Sequence, residues 1–203
     1  MRILLVDDHI VVREGVRRLL AGIGGIELSE AASGDAALEL FERERPDLVV
    51  LDLNLAGMGG LEILRRLLAI DAKVRVVVFS MHAEPIYAAR ALRLGARGYV
   101  SKSAGADELV TAVKKVAEGG RYVEREIAGE LAFTQLSAED PLQQLTMREI
   151  EILRLLGEGN SLTEIAQTIG IAYKTVANTC SIIKSKLGVE RTADLIRVSM
   201  EMK

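Results

Sequence analysis

Apolar residues follow two alternating patterns up to about residue 118 and a single pattern after Pro141. Short apolar runs near 2–6, 26–31, 47–51, 74–79 and 97–100 are bounded by charged or turn-forming residues, as buried strands are. Between them, apolar positions recur at helical spacing. The first set is Ile10, Val11, Val12, Val16, Leu19 and Leu20. The second is Ala36, Ala37, Leu38, Leu40 and Phe41, and the third is Leu61, Ile63, Leu64, Leu67 and Leu68. Each step from strand to strand is long enough for a helical crossover, so the strands are expected to be parallel. Right-handed crossovers then put helices on both faces. The pattern predicts a three-layer α/β domain with a five-stranded sheet over residues 1–120.

The periodicity changes after Gly119-Gly120. Residues 121–141 mix charges with Thr134, Gln135, Ser137 and Pro141, which reads as an extended or partly helical linker. Residues 142–203 show helical spacing only and predict an all-α domain of four helices. Thr146, with Glu149 three residues on, has the capping-box arrangement for the first of these. Gly157 and Gly159 close it; further helices are expected after Asn160, near Tyr173 and near Arg191-Thr192.

Polar residues stand at the strand ends. Ile3-Leu4-Leu5-Val6 stops at Asp7-Asp8, Leu48 to Leu51 stops at Asp52, Val74 to Phe79 stops at Ser80, and Gly98 to Ser101 stops at Lys102. In one parallel sheet all of these meet at the carboxyl edge, the crevice where open α/β sheets bind ligands. Three carboxylates there need a counter-cation, and hard oxygen donors with few protein ligands suit Mg²⁺. The chemistry expected is a phosphoryl group carried on a carboxylate. Asp52, at the end of the central strand, is the expected acceptor; Asp7 and Asp8 would hold the metal. Ser80 can donate its hydroxyl to the new phosphate and Lys102 supplies a compact positive charge. Taken singly, Asp7-Asp8 reads equally as a helix N-cap and Lys102 as a solvated lysine; the set of four strand ends carries the argument.

Composition adds limits. No apolar stretch approaches the eighteen or so residues a membrane-spanning helix requires. Cys180 is the single cysteine, so no internal disulfide framework is possible. A cytoplasmic protein with no membrane partner is expected. Residues 142–203 carry 8 Lys and Arg against 7 Asp and Glu. Charge alone would not have suggested a nucleic-acid partner.

The segments Leu5-Val6-Asp7-Asp8-His9 and Leu51-Asp52-Leu53-Asn54-Leu55-Ala56-Gly57-Met58-Gly59-Gly60, with Ser80 and Lys102, resemble a receiver domain of two-component response regulators. The resemblance covers residues 1 to about 120 and implies a flavodoxin-like (βα)5 fold. It implies phosphorylation of Asp52 by a partner histidine kinase, a metal ligand in the Asn54 backbone carbonyl, and Tyr99 as a rotameric switch paired with Ser80. The family usually has Pro where Ala56 stands, which implies a looser loop after the acceptor. His9 and His82 flank the pocket and read as loop residues.

In the C-terminal part, Ala166 allows close helix approach and Gly170 suits a tight turn between two helices. The next helix has one apolar face, Val176, Cys180, Ile183 and Leu187, which makes Cys180 a packed core thiol. Its other face carries Lys174, Thr175, Ala177, Asn178, Ser181, Lys184 and Ser185. In a helix-turn-helix that face enters the major groove. Asn178 would read adenine, while Lys174, Thr175 and Lys184 would hold phosphates.

Leu145 to Leu153, Glu164-Ile165-Ala166, Lys174-Thr175-Val176 and Lys186-Leu187-Gly188-Val189 resemble the LuxR-type helix-turn-helix. With the receiver, they resemble the NarL/FixJ class of transcriptional response regulators. The family commonly has basic residues or His where Ala177, Thr179, Cys180 and Ile182 stand, and Ser where Tyr173 stands. So charge-poor a recognition helix predicts weak DNA binding by the monomer and reliance on a homodimer formed on phosphorylation.

The resulting expectation is a phosphorylation-controlled, DNA-binding transcription regulator that is not an enzyme. One rival is a receiver whose output domain binds a protein partner and not DNA. Another is a phosphatase with an aspartyl-phosphate intermediate, but such enzymes place a second Asp two residues on, where this chain has Asn54.

Overall fold

The computed structural model describes residues 1–55, 58–134 and 144–200. It divides into two compact units, Met1–Thr134 and Gln135–Lys203. Among the described residues, no helix is long and apolar enough to cross a membrane.

The first unit is built on six parallel strands: β1 (Arg2–Val6), β2 (Glu27–Ala31), β3 (Leu48–Leu51), β4 (Arg75–Ser80), β5 (Gly98–Ser101) and β6 (Tyr122–Val123). Their spatial order is β2-β1-β3-β4-β5-β6, all parallel. All four residues of β3 are buried, as are the four apolar residues of β1, because helices cover both faces and leave no solvated side. The connecting helices are α1 (Ile10–Ala21), α2 (Gly34–Glu44), α3 (Gly60–Ile70), α4 (Pro85–Leu94) and α5 (Ala106–Ala117). α1 packs with α5; α2 packs with α3, and α3 with α4. Successive strand side chains point to opposite faces. Thus Ile3, Leu5, Leu48, Val50, Val77 and Val100 share a core with Val16 and Leu20 of α1 and Leu109, Val113 and Val116 of α5.

Five predicted strands become six. Tyr122 and Val123 pair with Gly98 and Tyr99 at the edge of the sheet. The chain then enters α6 (Arg125–Thr134), which packs on α4 and buries Ile127 and Leu131. The stretch read as a linker from residue 121 is thus, up to Thr134, part of the first unit. Two half-buried residues between Arg121 and Glu124 make no apolar run, so periodicity could not reveal a strand whose bonds are completed by β5.

The second unit holds the four expected helices: α7 (Met147–Gly157), α8 (Leu162–Thr168), α9 (Tyr173–Leu187) and α10 (Thr192–Met200). The predicted capping box opens α7. Thr146 Oγ1 accepts from the Glu149 amide at 3.3 Å, and Glu149 Oε2 accepts from the Thr146 amide at 2.5 Å. Ser161 and Glu164 make a second box at the start of α8, at 3.3 and 2.7 Å. Lys186 of α9 donates to both Glu149 oxygens at 2.8 Å. Burial raises the Glu149 carboxyl, but the Lys186 and Thr146 hydrogen bonds outweigh it and hold the group below the usual range. Where α7 crosses α10, a Cβ on Gly157 would lie 1.9 Å from Ser199 Oγ, so only glycine admits this approach.

Candidate functional site

The sheet order reverses direction at β1 and β3, and the last rungs of the ladder fix what stands beyond them. The Asp7 amide donates to the Ala31 carbonyl at 3.1 Å and the Asp52 amide to the Val6 carbonyl at 2.9 Å. Farther along the edge, the Lys102 amide donates to the Ser80 carbonyl at 2.7 Å. Backbone bonding alone therefore brings four strand ends to one crevice. Gly60 sits hard against it, since an added Cβ would be 2.3 Å from the Asp52 carbonyl oxygen.

Within the crevice Lys102 Nζ lies 2.6 Å from both Asp7 Oδ2 and Asp52 Oδ2. Both carboxyls are 1 % exposed and the lysine side chain 6 %. Burial pushes the Asp52 carboxyl above its ordinary range, with the Lys102 hydrogen bond and charge opposing it. The Asn54 amide donates to Asp52 Oδ1 at 3.1 Å, and the Arg13 guanidinium donates to the Asp7 carbonyl at 2.8 Å. Asp7, Asp8, His9 and Asp52 each offer a ligand atom within 4.8 Å of one another. Asp7, Asp8 and Asp52 supply three formal negative charges against one from Lys102, with oxygen donors throughout. That set fits a hard divalent cation. The exposed His9 ring is turned to the acids, with Nδ1 2.7 Å from Asp8 Oδ1.

Ser80 is fully buried, and its Oγ accepts from the His82 amide at 3.3 Å. Tyr99 is also fully buried, with its hydroxyl donating to the His82 carbonyl at 2.7 Å. That burial raises its phenol well above the ordinary range. The ring expected to act as a rotameric switch is thus already inside. His82, read from sequence as a loop residue, sits at the centre of this arrangement. Its Nε2 is 2.8 Å from Asn54 Oδ1, and its ring stacks on Tyr87 of α4 with centroids 3.9 Å apart. No spacing rule marks such a residue; only the pairing of β4 with β5 brings Tyr99 to it. The loop position expected to be loosened, Ala56, lies outside the described residues.

In the second unit, α8 and α9 pack together across a turn in which Gly170 has φ +66°. Val176, Cys180 and Ile183 are buried and Leu187 half-buried, so α9 turns its apolar face inward as its spacing predicts. Burial raises the Cys180 thiol, which makes it an inert core group. Lys174, Thr175, Asn178, Ser181 and Ser185 are exposed on the other face; Ala177 and Lys184 are half-buried. Ser181 and Thr179 spend their hydroxyls on carbonyls of their own helix, at 3.3 and 2.8 Å. Tyr173 and Ile182, absent from the polar set, are exposed as well.

Comparison with known proteins agrees with both halves. Residues 3–114 match the family model of the response regulator receiver domain, and residues 143–199 match that of the bacterial regulatory proteins of the luxR family. The chain belongs to the response regulators that join these two domains, the NarL/FixJ class. It is 40 % identical over 206 residues to the transcriptional activator protein ExaE of Pseudomonas putida, covering 99 % of this chain and 96 % of that one. A LuxR-family two-component response regulator from Aurantimonas shares 41 % identity and a TM-score of 0.64, over 66 % of this chain and 97 % of the other. The response regulator RcsB of Salmonella enterica, at 22 % identity, shares the fold, with a TM-score of 0.68 over 99 % of this chain and 98 % of its own.

Proposed function

We propose that this chain is a transcription regulator switched by phosphorylation of Asp52. The observation that carries the reading is the Lys102 ammonium held 2.6 Å from both Asp7 and Asp52 in a buried, acid-rich crevice. An Asp52 oxygen attacks the phosphorus of a phosphohistidine on a partner histidine kinase. The P–N bond breaks, its electrons return to the imidazole, and an aspartyl phosphate remains. Phosphoryl transfer needs positioning and charge stabilisation above all. Asp7, Asp8, Asp52 and the Asn54 carbonyl would hold Mg²⁺, which neutralises charge on the phosphoryl oxygens. Lys102 shifts from the carboxylates toward the phosphoryl group, and Ser80 donates its hydroxyl to it. The buried Tyr99 ring, bonded to the carbonyl of His82, is locked in when Ser80 and its turn close on the phosphate.

The output is double-stranded DNA. α9 enters the major groove with Asn178 facing a base edge, Ala177 and Ser181 alongside it, and Lys174, Thr175 and Lys184 at the phosphates. Half-buried Lys184 leaves Lys174 as the exposed cation among these, which supports weak binding by one copy. A homodimer formed on phosphorylation engages two half-sites at once and raises avidity without new contacts. The test is acetyl phosphate labelling of the full chain, followed by sedimentation with promoter DNA. Asp52 becomes labelled, and the labelled chain sediments as a DNA-bound dimer. A phosphorylated dimer that ignores DNA would move the output to a protein partner, and labelling that persists in Asp52→Ala would sink the site assignment.

A further inference from the structure

β6 ends in an unusual way. The Tyr122 amide donates to the Arg97 carbonyl at 2.9 Å and the Glu124 amide to the Tyr99 carbonyl at 3.0 Å, a regular parallel ladder. The next rung would join the Ser101 amide to the Glu124 carbonyl. That carbonyl is instead taken by the first turn of α6, where it accepts from the Ala128 amide at 2.8 Å. The Glu124 side chain fills the gap, its Oε2 accepting from the Ser101 amide at 2.7 Å. Both residues are buried, Ser101 fully and Glu124 to 9 % exposure.

Ser101 is the residue before Lys102. The other bonds of its turn are local: the Ala104 amide reaches the Ser101 carbonyl at 3.1 Å, and the Ser103 amide reaches Ser101 Oγ at the same distance. Lys102 itself is tied on its other side to the Ser80 carbonyl. A buried amide left without an acceptor is costly, so without Glu124 the turn would move to find one. We propose that Glu124 is a positioning residue that sets the Lys102 backbone by holding the Ser101 amide. The segment leading toward the C-terminal domain is thereby fastened to the phosphoryl site. This rests on the assignment of Asp52 and Lys102 made above. α6 also packs on α4, where Tyr87 stacks on His82, so the same segment contacts α4 as well as the turn that carries Lys102.

The experiment compares the full chain with Glu124→Met and Glu124→Gln. Methionine keeps the length and removes the acceptor; glutamine keeps a carbonyl oxygen in reach of the amide. Two readouts are taken: the rate of Asp52 labelling by acetyl phosphate with Mg²⁺, and hydrogen exchange of the Ser101 amide. Glu124→Met should label about tenfold to a hundredfold more slowly, the scale of effect that sub-ångström to ångström misplacement produces. Its Ser101 amide should lose protection. Glu124→Gln should restore both. Labelling of Glu124→Met at the wild-type rate would overturn the proposal, as would equal impairment of the Gln and Met variants. If Glu124→Met does not fold, Glu124→Ala replaces it under the same criteria. A wild-type chain that Asp52→Ala fails to distinguish would instead defeat the phosphoryl-site reading, while Ser101 exchange still reports on the Glu124 contact.

Discussion

Replacing Lys102 with methionine removes the cation that bridges Asp7 and Asp52 while keeping the bulk of the side chain. Two carboxyls that are 1 % exposed lose their ammonium partner, and the crevice goes from two excess negative charges to three. Breaking a buried ion pair by removing one member costs about 3–5 kcal/mol. We take the lower end, about 3 kcal/mol, because Asp52, whose carboxyl burial already raises, relieves part of the strain by protonation. For a unit between the size classes usually surveyed, each kcal/mol shifts Tm by about 4 °C, so the metal-free receiver should melt about 12 °C lower. Mg²⁺ should reverse most of the loss. With no ammonium competing for the same oxygens, the variant should bind Mg²⁺ at least about tenfold more tightly, equivalent to about 1.4 kcal/mol. Labelling by acetyl phosphate should nonetheless fall about 10²-fold or more, because a charge aimed at the transferred group is gone. Calorimetry with and without Mg²⁺, beside a labelling time course, reads all three quantities. A variant as stable as wild type without Mg²⁺, or one that binds Mg²⁺ more weakly, would refute the account of Lys102 as the buried counter-charge.

Gly60→Ala puts a methyl group 2.3 Å from the Asp52 carbonyl oxygen, so labelling of Asp52 should be lost or slowed about a hundredfold even if circular dichroism shows an intact fold. Gly157→Ala drives a Cβ into Ser199 at 1.9 Å and should destabilise the C-terminal unit by about 1–3 kcal/mol. DNA binding should weaken while Asp52 labelling stays at the wild-type rate. Glu149, held below its ordinary carboxyl range, stabilises the C-terminal unit above the unfolded value near 4.5. That contribution should disappear as pH falls through the lower folded value. Lys186→Met should flatten this acid limb in a melting series from pH 6 to pH 2; an unchanged profile would count against the Lys186–Glu149 contact.

Strand ends were legible because each apolar run stops at a polar residue, and a parallel sheet has one carboxyl edge. Asp7, Asp52, Ser80 and Lys102 can therefore be placed together from the sequence alone. The capping box at Thr146 was legible for a similar reason, since its spacing is local. What escaped depends on partners distant in sequence. β6 is two residues long and exists through its bonds to Gly98 and Tyr99. His82 matters through Asn54, Tyr87 and Tyr99, and Glu124 through Ser101; none of these pairs has a periodicity. Ser161-Leu162-Thr163-Glu164 is a different omission, a local capping signal that could have been read.

The two borders of the sheet have a consequence for self-association. At one border β2 exposes Glu27 and carries Glu30, paired with Arg13 and Arg17. At the other, β6 offers two residues before the chain coils into α6. Charge on one side and brevity on the other deny an incoming strand a template, as edges of natural sheets generally do. The homodimer proposed above would therefore be built through side chains on helices and not through a shared sheet. Borders so built leave no seed for fibrous growth when receivers accumulate.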